Sequence, residues 1–187
     1  QKFNDINIRF TIADTMFQTL NLICEEFQRT IPTHAHGSGS YELHYISKGR
    51  GRALINGKHY PLIPGTLYIT GPHVEHAQSP LPEDPMLEYC IYLKITQKRR
   101  TASSYPESES EILNSFEKTD FWYGQDSQYA GEIILELFRE ITEKKKGWQM
   151  QAEALLKQML IYLIRNYDQN ELALPPSHTG LSDKTAV

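Results

Sequence analysis

His34-Ala35-His36-Gly37-Ser38-Gly39-Ser40-Tyr41-Glu42-Leu43-His44-Tyr45-Ile46 is the stretch from which the rest of the chain can be read. From Tyr41 onward it alternates. Tyr41, Leu43 and Tyr45 fall on one face, and Glu42, His44 and Ile46 on the other, because strand side chains repeat every two residues. Such a strand meets two environments, one apolar and one able to host a carboxylate and an imidazole. His34 and His36 are also two residues apart, so strand geometry predicts that both imidazoles share a face. Six of the seven histidines lie between residues 34 and 76, which concentrates the chemistry in one segment. The spacing predicts that His34, His36, Glu42 and His76 converge from neighbouring strands. Three imidazoles and a carboxylate suit a divalent transition metal such as Zn, Ni, Fe or Mn. Their other reading is the polar lining of a ligand pocket. His44 shares a face with Glu42 and is predicted to enter the same cavity, touching ligand or orienting another imidazole.

Outward from this segment the first hundred residues read as strands and turns. Residues 6–12 alternate with period two, and residues 20–27 are rich in β-formers. Ala53-Leu54-Ile55-Asn56-Gly57-Lys58-His59-Tyr60 carries an Asn-Gly hairpin turn. Pro64-Gly65 and Gly71-Pro72 bracket a strand over 66–70, and residues 87–95 form a long closing strand. Turn signals this regular predict a mainly β barrel or sandwich over residues 1–96. Residues 97–110 read as an exposed loop. The period then becomes helical across 111–167. Ile112, Leu113 and Phe116 suit a short helix, and residues 129–145 a longer one. Residues 148–167 carry a wide apolar stripe of Leu156, Met159, Leu160, Leu163, Ile164 and Tyr167. Gly147 separates the two longer helices and predicts an antiparallel pair. Residues 168–187, with Pro175-Pro176, read as a linker. Phe121-Trp122-Tyr123 is expected to pack helices under the barrel.

Bulk properties exclude several classes. The net charge of −4 and a pI near 6.0 argue against this chain gripping a phosphate backbone by itself. Cys24 and Cys90 stand far apart in apolar strand-like stretches, which predicts two buried thiols in a cytoplasmic protein. No apolar run is long enough to span a bilayer. The chain opens on Gln1 without a methionine, which predicts a fragment. His59 and His73 sit at turn signals and are expected in solvent. The basic runs Lys98-Arg99-Arg100 and Lys144-Lys145-Lys146 read as solvated surface, and His178 has no evident role. There is no nucleophile elbow and no glycine-rich phosphate loop. Nucleophilic catalysis is therefore not expected, and an enzyme would require a bound metal with an open coordination position.

The series His34-x-His36, Glu42, Gly49, Asn56-Gly57-Lys58-x-Tyr60-Pro61-Leu62, Pro64-Gly65 and Gly71-Pro72-x3-His76 resembles the cupin fold, a double-stranded β-helix barrel. More narrowly, it looks like the N-terminal sensor of AraC-type bacterial transcription regulators, from about residue 6 to 187. A glycine more often stands where this chain has His73. The resemblance implies a barrel that binds a small effector, sugar-sized for instance, followed by a helical pair that forms a homodimer. DNA binding would belong to a C-terminal helix-turn-helix domain missing from this chain. Part of the wide stripe on the last helix is then expected to meet a partner, with Met159, Leu163 and Tyr167 as the seam and the rest as core. The resemblance thus implies a binding module and not an enzyme, since the helical pair and linker that follow the barrel are not needed by a stand-alone cupin enzyme; the alternative under the same fold is a metal-dependent cupin enzyme of dioxygenase or isomerase type.

Overall fold

The computed structural model describes residues 1–98 and 105–173. Arg99, Arg100, His178 and most of the expected linker lie outside the described residues. The strands are β1 (Arg9–Ile12), β2 (Thr15–Phe27), β3 (Ile31–His34), β4 (Ser40–Lys48), β5 (Gly51–Ile55), β6 (Lys58–Leu62), β7 (Thr66–Thr70), β8 (His76–Pro80), β9 (Met86–Lys98) and β10 (Phe121–Gln125). The helices are α1 (Glu107–Lys118), α2 (Ala130–Glu143) and α3 (Trp148–Ala173). One sheet has the order β1-β2-β9-β4-β7-β10 and the other β3-β8-β5-β6, with every pairing antiparallel. The chain crosses between sheets as it goes from β2 to β3, β3 to β4, β4 to β5, β6 to β7, β7 to β8 and β8 to β9. The two sheets thereby close face to face as the barrel that the sequence implies.

Local chemistry explains the turns. Asn56 and Gly57 both have positive φ, 46° and 77°, as a two-residue hairpin between Ile55 and Lys58 requires. Gly49 has φ 70°, and a Cβ there would lie 1.9 Å from the Pro85 carbonyl oxygen, so only glycine fits. His73 also adopts the left-handed conformation, φ 63°, which accounts for the glycine more usual at that position.

The barrel interior holds Ile46, Ala53, Ile55, Leu62, Tyr68, Val74 and Met86. A larger core lies between the outer face of the six-stranded sheet and the helices, and includes Phe10, Phe17, Tyr41, Leu43, Phe116, Ile134, Leu137 and the α3 stripe. The alternation on β4 divides these two regions as expected.

Three boundaries differ from the sequence reading. The stretch 97–110 is not all loop, because β9 runs to Lys98 and α1 begins at Glu107. Its Ser/Glu composition hid a helix start, in which Glu107 and Glu109 lie in the first turn and Glu109 accepts a hydrogen bond from the Ala13 amide at 2.8 Å. The third helix passes Tyr167 and reaches Ala173. Phe121-Trp122-Tyr123 is the start of β10, which extends the large sheet beside β7.

The expected dimer seam is corrected. Met159, Leu163 and Tyr167 are buried within the single chain, at 0%, 0% and 5% exposure. The wide stripe is covered by α1, α2, β1 and β10, so no part of that trio is left for a partner. Leu163→Ala is expected to cost about 2–5 kcal/mol of unfolding free energy in urea melts, as for a core leucine. Sedimentation should show an unchanged oligomeric state; a shifted state with unchanged stability would restore the seam.

Candidate functional site

The histidine cluster is built from both sheets. β3 supplies His34 and β8 supplies His76, directly opposite one another in the antiparallel register. β4 supplies Glu42 and His44 from the facing sheet, two residues apart and on one side. His36 lies just beyond the end of β3, so the His-x-His pair is not a strand pair as expected. Its carbonyl accepts a hydrogen bond from the His73 amide at 2.8 Å, which holds this segment over the barrel mouth. The structure thus brings together all five predicted residues, while His59 and His73 are solvent-exposed.

Glu42 is the centre. Its Oε2 lies 3.0 Å from His76 Nε2, 3.5 Å from His44 Nε2 and 3.9 Å from His34 Nε2, and its Oε1 lies 3.2 Å from His36 Nε2. One ligand atom each from His34, His36, Glu42 and His76 can be chosen so that all lie within 4.8 Å of one another. Tautomers sharpen this geometry. His34 Nδ1 lies 2.9 Å from the Pro32 carbonyl and His76 Nδ1 lies 3.0 Å from the Val74 carbonyl. A carbonyl only accepts, so both Nδ1 atoms donate and carry hydrogen. In the neutral rings each Nε2 then presents a lone pair toward a carboxylate that also only accepts. Acceptors facing acceptors require a cation between them, either a proton or a metal.

Without metal, protons fill that role. Burial opposes the Glu42 charge, but the His34, His44 and His76 rings around it, His76 by a hydrogen bond at 3.0 Å, outweigh it and hold the carboxyl far below the usual carboxylate range. His34 is raised above its ordinary value, chiefly by the Glu42 carboxylate beside it. Burial works against a charge on His44, yet Tyr68, Cys90 and Glu88 around the ring leave it well above its ordinary value.

A further set of residues escaped the sequence reading. His44 Nδ1 donates to the buried Glu88 carboxylate, and the Gln78 amide donates to Glu88 at 3.1 Å and to the Tyr68 hydroxyl. The Tyr68 ring stacks on His44 at 4.3 Å. The signal was present: Gln78 stands two residues after His76, and Glu88 and Cys90 stand two apart on a strand, so each pair shares a face. Cys90 is buried as predicted and its thiol is pushed up to about 12, mainly by burial; Cys24 is only half-buried. A cavity of about 170 Å³ is lined by His34, Glu42, His44, Gln78, Glu88 and Cys90, with Lys2 and Arg29 at its mouth. A wider groove of about 720 Å³ lies outside the small sheet by Arg52, Leu54 and His59, and none of the converging residues lines it.

The pH dependence follows from these shifts. The raised His34 and His44 contribute stability that is fully present below about pH 6.5 and lost as pH rises through their folded values. The depressed Glu42 contributes above about pH 4.5 and loses it as pH falls through its folded value. Both are therefore in force between these limits. In the presence of chelator, Glu42→Gln is expected to cost on the order of 3 kcal/mol near pH 5.5, and the cost should shrink toward about pH 9. Thermal melts across that range check it, and a pH-independent cost would contradict the ion-pair assignment.

Comparison with known proteins follows the same lines. The AraC-like ligand binding domain family matches residues 24–160. Curated relatives include the L-ectoine synthase of Aliivibrio fischeri strain MJ11, 36% identical over 61 residues, covering 32% of this chain and 48% of that protein. The L-ectoine synthase of Vibrio cholerae O395 is 31% identical over 90 residues, covering 46% and 64%. The chain thus spans less than two thirds of the length of these relatives. Among solved structures, KdgF from Halomonas sp. is 16% identical with a TM-score of 0.37, covering 52% of this chain and 79% of that one. Fatty-acid-bound ToxT from Vibrio cholerae is 14% identical with a TM-score of 0.48, covering 87% and 57%. The relatives correct one expectation. A binding module rather than an enzyme was expected, but the curated proteins with partial similarity to this chain are named L-ectoine synthases, which are enzymes. The missing elbow speaks only to nucleophilic catalysis and leaves a metal-dependent route open. Residues 24–160 span most of the chain, from β2 into α3, and the chain belongs to the AraC-like ligand-binding domain family.

Proposed function

We propose that this domain is the effector-sensing part of an AraC-type transcription regulator, with the barrel cavity as the sensing site. The observation that carries the reading is the inward-facing group of imidazoles and carboxylate, enclosed by two sheets and roofed on one side by helices. A cavity of about 170 Å³ is smaller than a typical drug-sized pocket, so a compact polar effector fits best. Lys2 is paired with Glu25 at 3.6 Å, so Arg29 and the imidazoles are left to bind, and they favour a ligand bearing several hydroxyls or one carboxylate. Lys2 belongs to the N-terminal arm, whose Phe3 packs edge-on against Phe138 of α2 at 6.0 Å. Ligand contact with the arm is thus one step from the helical layer, and a ligand that binds two arm positions unequally would shift them. The output would pass through a homodimer, using residues other than Met159, Leu163 and Tyr167, to a C-terminal DNA-binding domain outside these 187 residues. A cytoplasmic location is part of the same proposal; among the described residues no helix is long and apolar enough to cross a membrane.

His34, His36, Glu42 and His76 fit a divalent transition cation. The donor set is imidazole-rich, His36 Nε2 is buried without a hydrogen-bond partner, and two of the rings have Nδ1 anchored on carbonyls. A bound cation would supply Lewis acidity at an open coordination position. His44, backed by Glu88, would orient or protonate a ligand oxygen beside Glu42. That same donor set and the synthase relatives favour a second reading, in which the barrel is a metal-dependent cupin enzyme.

Two measurements test these readings. A thermal-shift screen of sugars and small organic acids should find an effector that adds about 2.7 kcal/mol at a hundredfold excess over its dissociation constant. That gain should disappear in Gln78→Ala, and no hit in either metal-free or metal-loaded protein would remove the sensor reading. Mass spectrometry of protein purified without a histidine tag should find about one equivalent of Zn, Ni, Fe or Mn, lost in His76→Ala. Less than about a tenth of an equivalent, with none recovered on metal addition, would remove the cation. Turnover of the synthases' substrate by metal-loaded protein would favour the second reading.

A further inference from the structure

Beside the four-residue cluster lies another group of donors. Glu42, His44 and Cys90 each offer one ligand atom, all within 4.8 Å of one another. The strand register explains the juxtaposition: His44 on β4 stands directly opposite Cys90 on β9, and Glu42 is on the same face of β4 two residues away. His44 and Cys90 are both buried.

The second observation concerns His44. Its Nδ1 donates to Glu88, itself 1% exposed, so the ring is oriented by a carboxylate as metal-binding imidazoles commonly are. Its Nε2 is buried, lacks a hydrogen-bond partner, and lies 3.5 Å from Glu42 Oε2. Glu88 is held in turn by the Gln78 amide at 3.1 Å. A buried ring nitrogen left unpartnered while its other nitrogen is fixed this firmly is an incomplete arrangement.

We propose that Glu42, His44 and Cys90 form a sulfur-bearing cation position next to the four-residue cluster, selective for soft, thiophilic ions such as Cd²⁺ or Cu⁺. Donors around a tetrahedral zinc ion stand roughly 3.3–3.8 Å apart, given Zn–S and Zn–N bonds of about 2.3 and 2.0 Å. The present spacing closes to that with a side-chain shift of about an ångström. The Cys90 sulfur binds as thiolate and its proton leaves to solvent. Glu42 belongs to both groups, so a cation here competes for it or shares it with one held by His34, His36 and His76. Soft metals are thereby drawn to the inner position and borderline metals to the outer one.

Cobalt(II) is the probe, used on the intact chain with Cys24→Ser so that Cys90 is the sole thiol. The expected result is a thiolate-to-cobalt charge-transfer band in the near ultraviolet. It should persist when His34 and His36 are replaced by Ala and vanish in Cys90→Ser, while Cys90→Ser still binds cobalt at the outer cluster. Glu88→Gln should weaken binding at the inner position by about 10–100-fold. X-ray absorption at the cadmium edge on Cys24→Ser protein reads the same contact without altering Cys90, and sulfur in the cadmium shell is expected. Cobalt bound without the band once His34 and His36 are replaced by Ala, a cadmium shell lacking sulfur, or no cobalt bound would each overturn the proposal. Effector-induced stabilisation is measured separately, so loss of the inner position leaves the sensor reading standing.

Discussion

A single carboxylate placed among four imidazoles in the interior of a barrel is the constraint around which the rest is arranged. A buried charge needs compensation, and Glu42 can be compensated only if His34 and His76 from the small sheet meet Glu42 and His44 from the large one. The cluster is therefore a clasp between the sheets as well as a place for chemistry. The fixed Nδ1 hydrogens of His34 and His76 leave the clasp short of positive charge, and protons or a metal supply it. Stability, proton uptake and cation affinity are in this way the same equilibrium seen from three sides.

The other face of the same strand connects that equilibrium to the helices. Tyr41 lies against Phe116 of α1 at 4.6 Å, and Tyr45 lies so close to Gly131 of α2 that a Cβ there would come within 2.2 Å of its ring. α2 has no cap of its own at Tyr129. Asp126 accepts instead from the amides of Gln128, Ala130 and Gly131, and Asn166 of α3 donates to Asp126 at 3.0 Å. A shift of β4 on ligand binding would thus reach both long helices through packing and through one polar hub, with no flexible segment between.

Much of this was legible in residues 34–76 because strand periodicity is strict. The alternation from Tyr41 to Ile46 separated cavity from core, and Asn56-Gly57 fixed a hairpin, since both residues tolerate positive φ. What could not be read depended on distant partners. The start of α1 at Glu107 was hidden because its stabilising contact, the Ala13 amide, is remote in sequence. Met159, Leu163 and Tyr167 were read as a seam because a stripe shows that a helix face is covered, and not by what. Glu88 and Gln78 were passed over although strand spacing put them on the faces of Cys90 and His76, because a shared face does not say which polar group it meets across the barrel. The non-enzymatic expectation leaned on the helices that follow the barrel, which do not bear on whether the cluster inside it holds a catalytic metal.

β10 has a consequence for how the molecule holds together. Phe121 and Tyr123 turn inward to meet Tyr60 at 5.3 and 4.9 Å, while Trp122 turns outward onto Tyr167 of α3 at 5.1 Å. A strand that comes between two helices in the chain thus forms the outermost rung of the large sheet. Trimming the chain after β9 would strip β7 of its neighbour and expose a row of unpaired amides and carbonyls, a template for self-association. Barrel and helices are thus tied through one strand, and a minimal barrel cut from this protein would be an aggregation-prone fragment, not a smaller receptor.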